Sequence, residues 1–136
     1  MDWFKTSITG LPPFLLYFAI GALLIFIFAV VYMRLTKHDE MALVRQGNVA
    51  AALALGGNIA GFSIPVDRSV SQAAHIPDLL LWAAIAAFVQ FLVYKIMQFL
   101  IQDLSGEIER NNIAAGALLG TVAVVSGFLN AAAMTQ

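Results

Sequence analysis

Residues 11–33, LPPFLLYFAIGALLIFIFAVVYM, run without a single charged side chain. At about 1.5 Å of rise per residue, a helix of this length crosses a hydrocarbon core of about 30 Å. Its interior is bulky, with Phe14, Tyr17, Phe18, Phe26, Phe28 and Tyr32, and Gly21 as the one gap. Pro12 and Pro13 fall in the first turn, where a missing N–H costs nothing, and Thr9 is placed to cap it. Tyr17 and Tyr32 lie toward opposite ends, as the aromatic belts of a spanning helix do.

The same absence of charge recurs along the chain. There is none between Arg45 and Asp67 and none after Arg110, and Lys95 alone interrupts the stretch from Asp78 to Asp103. Only 11% of the 136 residues are charged, 61% are hydrophobic, and the mean hydropathy is +0.87. A water-soluble domain keeps about 25% of its residues charged, so too little polar surface exists here to cover a globule. Four spanning helices follow, at about 11–33, 48–64, 77–101 and from 112 to the C-terminus, within a single membrane domain, 1–136. Pro65 is expected to stop the second helix, and Pro77 opens the third. The leader Met1 to Lys5 is neutral overall and the apolar run after it is too long for a cleaved signal, which predicts a retained first helix.

A net charge of −1 gives no electrostatic reason to bind nucleic acid. The absence of cysteine excludes disulfides, thiolate metal sites and lipidation at cysteine. No His/Asp/Glu spacing suggests a metal site and no serine or histidine stands in a nucleophile context, so neither a cofactor nor an enzyme is expected. His38 and His75 lie in connectors, where a solvated histidine is the ordinary case.

The first and third connectors, with Lys95 reaching toward the third, hold Arg34, Lys37, Arg45, Lys95 and Arg110. The other side holds only Lys5 and Arg68. The positive-inside rule places those connectors in the cytoplasm and both termini in the periplasm. Asn48-Val-Ala-Ala-Ala-Leu-Ala-Leu-Gly56 also matches Asn112-Ile-Ala-Ala-Gly-Ala-Leu-Leu-Gly120, 64 residues on. Two hairpins of one orientation, about 11–65 and 77–135, then form a parallel internal repeat. The expected fold is an all-α integral membrane bundle of four transmembrane helices, arranged as those two hairpins.

With Asn48-Val-Ala-Ala-Ala-Leu-Ala-Leu-Gly-Gly57, Gly61-Phe-Ser-Ile-Pro65, Ile76-Pro-Asp78, Asn112-Ile-Ala-Ala-Gly116 and Phe128-Leu-Asn-Ala-Ala-Ala-Met-Thr135, the chain resembles the YjfL-like bacterial inner-membrane proteins, domain of unknown function 350. The resemblance covers nearly the whole chain and implies four helices in the inner membrane. It carries no catalytic residue with it. Genes of such proteins often lie beside phage-shock-type membrane-remodelling proteins, which implies a role in envelope maintenance.

Two sets of residues stand out for packing. Gly57 and Gly61 in the second helix, and Gly116, Gly120 and Gly127 in the fourth, let backbones approach closely, as associating membrane helices require. One copy is not expected to satisfy both glycine faces, which predicts a homo-oligomer joined through these helices. Asn48 and Asn112 each begin an apolar helix and are expected to cap it.

Asn58 lies ten residues into the second helix, about 15 Å deep, where its amide must find partners inside the bundle. Gln90, Tyr94 and Gln98 recur at i, i+4 and i+8 on the third helix, with Lys95 alongside. This set is either interhelical glue or the lining of a polar path. Asn130 has no evident partner in the sequence. Asp39-Glu40 and Glu107/Glu109 are expected in solvated first turns beside the helix dipole. Two functions fit. One is a non-enzymatic scaffold, recruiting a cytoplasmic membrane-remodelling partner through Arg34, Lys37, Asp39, Glu40 and Arg45. The other is a small oligomeric channel conducting an ion or solute past Asn58, Gln90 and Lys95.

Overall fold

The computed structural model describes residues 2–134. Met1, Thr135 and Gln136, and with them the last position of the expected second hairpin, lie outside the described residues. All regular structure among the described residues is helical, without a strand: α1 Asp2–Thr9, α2 Leu11–Leu35, α3 Glu40–Arg45, α4 Val49–Gln72, α5 Ile76–Leu100, α6 Leu104–Glu109 and α7 Ile113–Ala133. Four helices are long and apolar enough to cross a membrane: α2 together with α1, then α4, α5 and α7. The short helices α3 and α6 close the first and third connectors at one end of the bundle.

The surface is inverted relative to a protein in water. Phe18, Phe26, Phe88 and Phe99 stand 66–87% exposed, whereas Asn58 and Gln90 are 1% exposed. Lipid explains both facts: apolar side chains lose nothing by facing hydrocarbon, while amides must turn inward to find partners.

The centre of the bundle is the seam between α4 and α7. Gly57 meets Gly120, Gly61 meets Ala123, Gly116 meets Ala50, and Gly127 meets Gly61, all so closely that an added Cβ would overlap the facing backbone. Lipid tails are as apolar as leucine, so helices associate here by contact and small residues win. The two glycine faces therefore satisfy each other within one chain, which removes the reason given for a second copy. The aromatic helix α2 packs on this pair through Phe28 and Tyr32 and leaves most of its surface outward.

Two expected boundaries are corrected. The second span does not stop at Pro65; α4 continues to Gln72, so Asp67, Arg68, Ser69 and Ser71 are helical. Proline is tolerated in a spanning helix when neighbours take over the freed backbone groups. Pro65 has no N–H for the Gly61 carbonyl, and that carbonyl faces Gly127 of α7 instead. Ser69 Oγ donates to the Pro65 carbonyl at 2.9 Å. The turn thus falls at 73–75, where His75 Nδ1 accepts the Asp78 N–H at 3.2 Å and caps α5. Thr9 does not cap α2 either. Gly10 occupies the cap, and Thr9 Oγ1 donates to Thr6 inside the last turn of α1 at 2.8 Å.

The two connectors share backbone hydrogen bonds at positions 64 residues apart, although Asp39 before α3 is extended and Asp103 before α6 is left-handed. Leu43 N–H bonds to Asp39 and Asn48 N–H to Leu43; correspondingly, Glu107 N–H bonds to Asp103 and Asn112 N–H to Glu107. Between short and long helix the chain turns through positive φ, +84° at Gly47 and +60° at Asn111. Asparagine tolerates this left-handed region better than most residues.

Candidate functional site

Local capping places the connectors. Asn48 Oδ1 accepts the Ala51 N–H at 2.8 Å, and Asn112 Oδ1 accepts that of Ala115 at 3.2 Å. Asn48 also reaches across: its Nδ2 donates to the Ile108 carbonyl at 2.8 Å, joining α4 to α6. Asn111 Oδ1 returns the tie by accepting the Ala50 N–H at 3.0 Å. Asp39 Oδ1 caps α3 through the Ala42 N–H at 3.2 Å. The two connectors are thereby locked to each other and to the seam.

Under this roof lies a buried polar cluster. His38 Nε2 and Glu40 Oε1 are 2.9 Å apart, and both side chains are wholly buried. This corrects the expected solvated histidine and solvated first turn, because α3 folds back over the bundle with Glu40 on its inner face. The Tyr32 hydroxyl lies beside Glu40 and accepts from Asn58 Nδ2 at 3.2 Å. The second Asn58 amide hydrogen goes to the Ala54 carbonyl at 2.8 Å. The Tyr94 ring stands edge-on to Tyr32 at 5.3 Å, and Gln98 Nε2 donates to its hydroxyl at 3.5 Å. Burial pushes the Glu40 carboxyl above the usual carboxylate range, with the His38 imidazole and the Tyr32 hydroxyl pulling the other way. His38 Nδ1, Glu40 Oε2 and Ser105 Oγ are buried without a hydrogen-bond partner.

An aromatic layer seals the cluster on the membrane side. Phe28 stacks on Phe62 at 4.2 Å and on Phe91 at 5.1 Å. These rings lie one turn deeper than Tyr32, Asn58 and Tyr94 respectively.

The structure does not assemble the expected polar path as one set. Asn58, Tyr94 and Gln98 join the cluster. Gln90 turns instead to the α7 side, where its Nε2 donates to the Ala123 carbonyl at 3.4 Å and its Oε1 has no partner. Lys95 is exposed on the outer face of α5 and takes no part. Asn130 finds a partner after all, donating to the Ala86 carbonyl of α5 at 3.2 Å. Of the connector residues, Arg34, Lys37, Asp39 and Arg45 are exposed and Glu40 is not. On α6, Arg110 pairs with Glu107 and Asp103 at the surface.

Tyr32, His38 and Ser105 were absent from the expected site. No local signal marks them, since a tyrosine at a helix end and a histidine among charges ordinarily face the interface or water. Among the described residues no group of three or more His, Cys, Asp and Glu is placed to hold a metal.

Comparison with known proteins places the chain. The family described as Domain of Unknown Function (DUF350) matches residues 6–134. The UPF0719 inner membrane protein YjfL of Escherichia coli strain K12 is 38% identical over 126 residues, 93% of this chain and 96% of that protein. The UPF0719 transmembrane protein YshE of Bacillus subtilis strain 168 is 27% identical over 118 residues, 85% of this chain and 88% of its own. A UPF0719 transmembrane protein of Aquifex aeolicus strain VF5 is 28% identical over 142 aligned positions, 97% of this chain but 53% of the longer relative. No solved structure matches. Four apolar helices and these relatives make the chain a multi-pass inner-membrane protein of the DUF350 family.

Proposed function

We propose that the protein is a non-enzymatic scaffold of the bacterial envelope, whose connector end is a charged platform for a cytoplasmic membrane-remodelling partner. The cross-tied connectors carry this reading. Asn48 and Asn111 tie α6 and its connector to the start of α4 and Asp39 caps α3, while Arg34, Lys37 and Arg45 are exposed at the first connector. Pre-ordered charges cost less to engage than a mobile loop does. The excess of lysine and arginine at this end supports a cytoplasmic orientation, with both termini in the periplasm.

The conduction reading has less support within one copy. The glycine seam fills the space between α4 and α7, and the Phe28, Phe62 and Phe91 rings close the polar cluster from below. The grooves of about 670 Å³ beside α2 and 510 Å³ along α4 and α7 open on the outer faces and are mostly apolar. In our reading copies associate through the second of these, past Gly56, Ala60, Thr121 and Val125, because the inner glycines are already occupied.

The test uses protein reconstituted in liposomes. Arg34→Glu, Lys37→Glu and Arg45→Glu together should abolish capture of a cytoplasmic membrane-remodelling protein that the wild type retains. Vesicles should stay as tight to protons and ions as empty ones. Capture indifferent to the charge swap, with a flux that Asn58→Leu and Gln90→Leu remove, would replace the scaffold by a channel.

A further inference from the structure

Among the described residues the His38–Glu40 pair is the one cluster of buried titratable groups outside the spans, and the platform reading makes no use of it. Its chemistry is unusual for a connector. The two side chains touch at 2.9 Å with no exposure to water. Each has a second polar atom, Nδ1 and Oε2, with no hydrogen-bond partner. If the pair were ionic, the imidazolium would bury an unpaired N–H and the carboxylate an unpaired oxygen, both costly where water is excluded. A neutral pair leaves much less unmet. His38 Nε2–H donates to Oε1, and what goes without a partner is an uncharged acid hydroxyl and an imidazole lone pair, not two charges.

The surroundings do not supply a compensating charge. From α2 and α5 the titratable groups facing Glu40 are the Tyr32 and Tyr94 hydroxyls. Around the pair α4 presents Asn58, bonded to the Tyr32 hydroxyl, and α6 presents Ser105, both uncharged. The charged residues nearby, Arg34, Lys37, Asp39, Arg45, Asp103 and Arg110, are exposed on the outside of the connectors. Among the described residues His38 is the one basic group within ion-pair distance of Glu40. With the phenylalanine layer below, a proton can leave only toward the connector side, through movement of α3.

We infer that His38 and Glu40 form a proton-binding site in which Glu40 is neutral while α3 is seated, and that loss of this proton to water releases α3 from the bundle. The direction of the Glu40 shift agrees with this. A carboxyl held above its usual range binds a proton that the released segment has already lost. Its contribution to seating is therefore complete below the ordinary glutamate range and falls as pH rises through the raised folded value.

The chain has three glutamates, Glu40, Glu107 and Glu109, and no cysteine, which makes the test clean. In the Glu107→Gln, Glu109→Gln protein, carboxyl-labelled glutamate reports Glu40 alone by infrared spectroscopy. A protonated-carboxyl stretch at neutral pH that disappears in alkaline buffer is expected. Val44→Cys, half-buried on α3, then reports seating through maleimide labelling. Between the ordinary glutamate range and the raised folded value its opening should rise up to about tenfold per pH unit, and above that value it should level off. In a Glu40→Gln background labelling should follow only the titration of the thiol itself. An ionised Glu40 at neutral pH, or identical labelling profiles with and without Glu40, overturns the inference. The infrared reading needs no change at Glu40, so misfolding of Glu40→Gln does not rescue it.

Discussion

Asn58 on α4 donates to the Tyr32 hydroxyl on α2 across 3.2 Å, and both side chains are almost wholly buried. The same amide satisfies the Ala54 carbonyl of its own helix. One asparagine thus joins the aromatic helix to the glycine seam and places a hydroxyl beside the buried Glu40. Glue and site are here the same residues.

Loss of that link should be measurable and modest. Asn58→Leu and Tyr32→Phe should each lower stability by about 0.6–2 kcal/mol, with a coupling of about 0.6 kcal/mol between them. Reversible detergent unfolding of both single variants and the double variant checks this. Strict additivity would mean that the 3.2 Å contact contributes nothing.

Gln90 should matter less. Its one bond, to the Ala123 carbonyl, is long at 3.4 Å, and its Oε1 is unpartnered. Gln90→Leu keeps the volume and removes an unsatisfied oxygen, so it should cost less than Asn58→Leu in the same unfolding measurement. Lys95→Gln, on the exposed face of α5, should stay within about 0.5 kcal/mol of wild type.

The glycines are expected to divide sharply. Gly61→Ala and Gly127→Ala put a methyl onto the facing backbone and should each cost about 1–3 kcal/mol by overpacking. Gly56 has open space around it, so Gly56→Ala should change stability by no more than about 0.5 kcal/mol. Equal effects at Gly56 and Gly61 in a thermal unfolding series would mean that α4 and α7 do not meet along this face.

The two connectors should respond to pH in opposite directions. Hydrogen bonds from Asn112, and then from Arg110, hold the Glu107 carboxyl below its usual value. A depressed carboxyl stabilises above the ordinary glutamate range and loses that contribution as pH falls through the folded value. Protection of α6 amides, normalised to intrinsic exchange, should therefore decline in acid and become flat in Glu107→Gln. The seating of α3 should weaken toward alkaline pH instead.

Much of this was written locally. The spans at 11–33, 77–101 and from 112 onward come from runs of apolar residues, and Asn48 and Asn112 cap because capping needs only the next three residues. Pro65 misled because its effect is not local: α4 continues through it, with the freed Gly61 carbonyl packed against Gly127 of another helix. Asn58 announced its need for a partner, but not that the partner would be Tyr32.

The sequence by itself determined that this chain lives in a membrane, how many times it crosses, and where α4 and α7 begin. Transfer to lipid sums over neighbouring residues, and capping acts over a single turn. Only the tertiary structure decided which polar groups go inside. His38 and Glu40 are buried while Lys95 is exposed, although all three look like connector or interface residues. Burial depends on how α3 folds over the bundle and how each helix is rotated in its packing, and those are set by contacts between residues far apart in the chain.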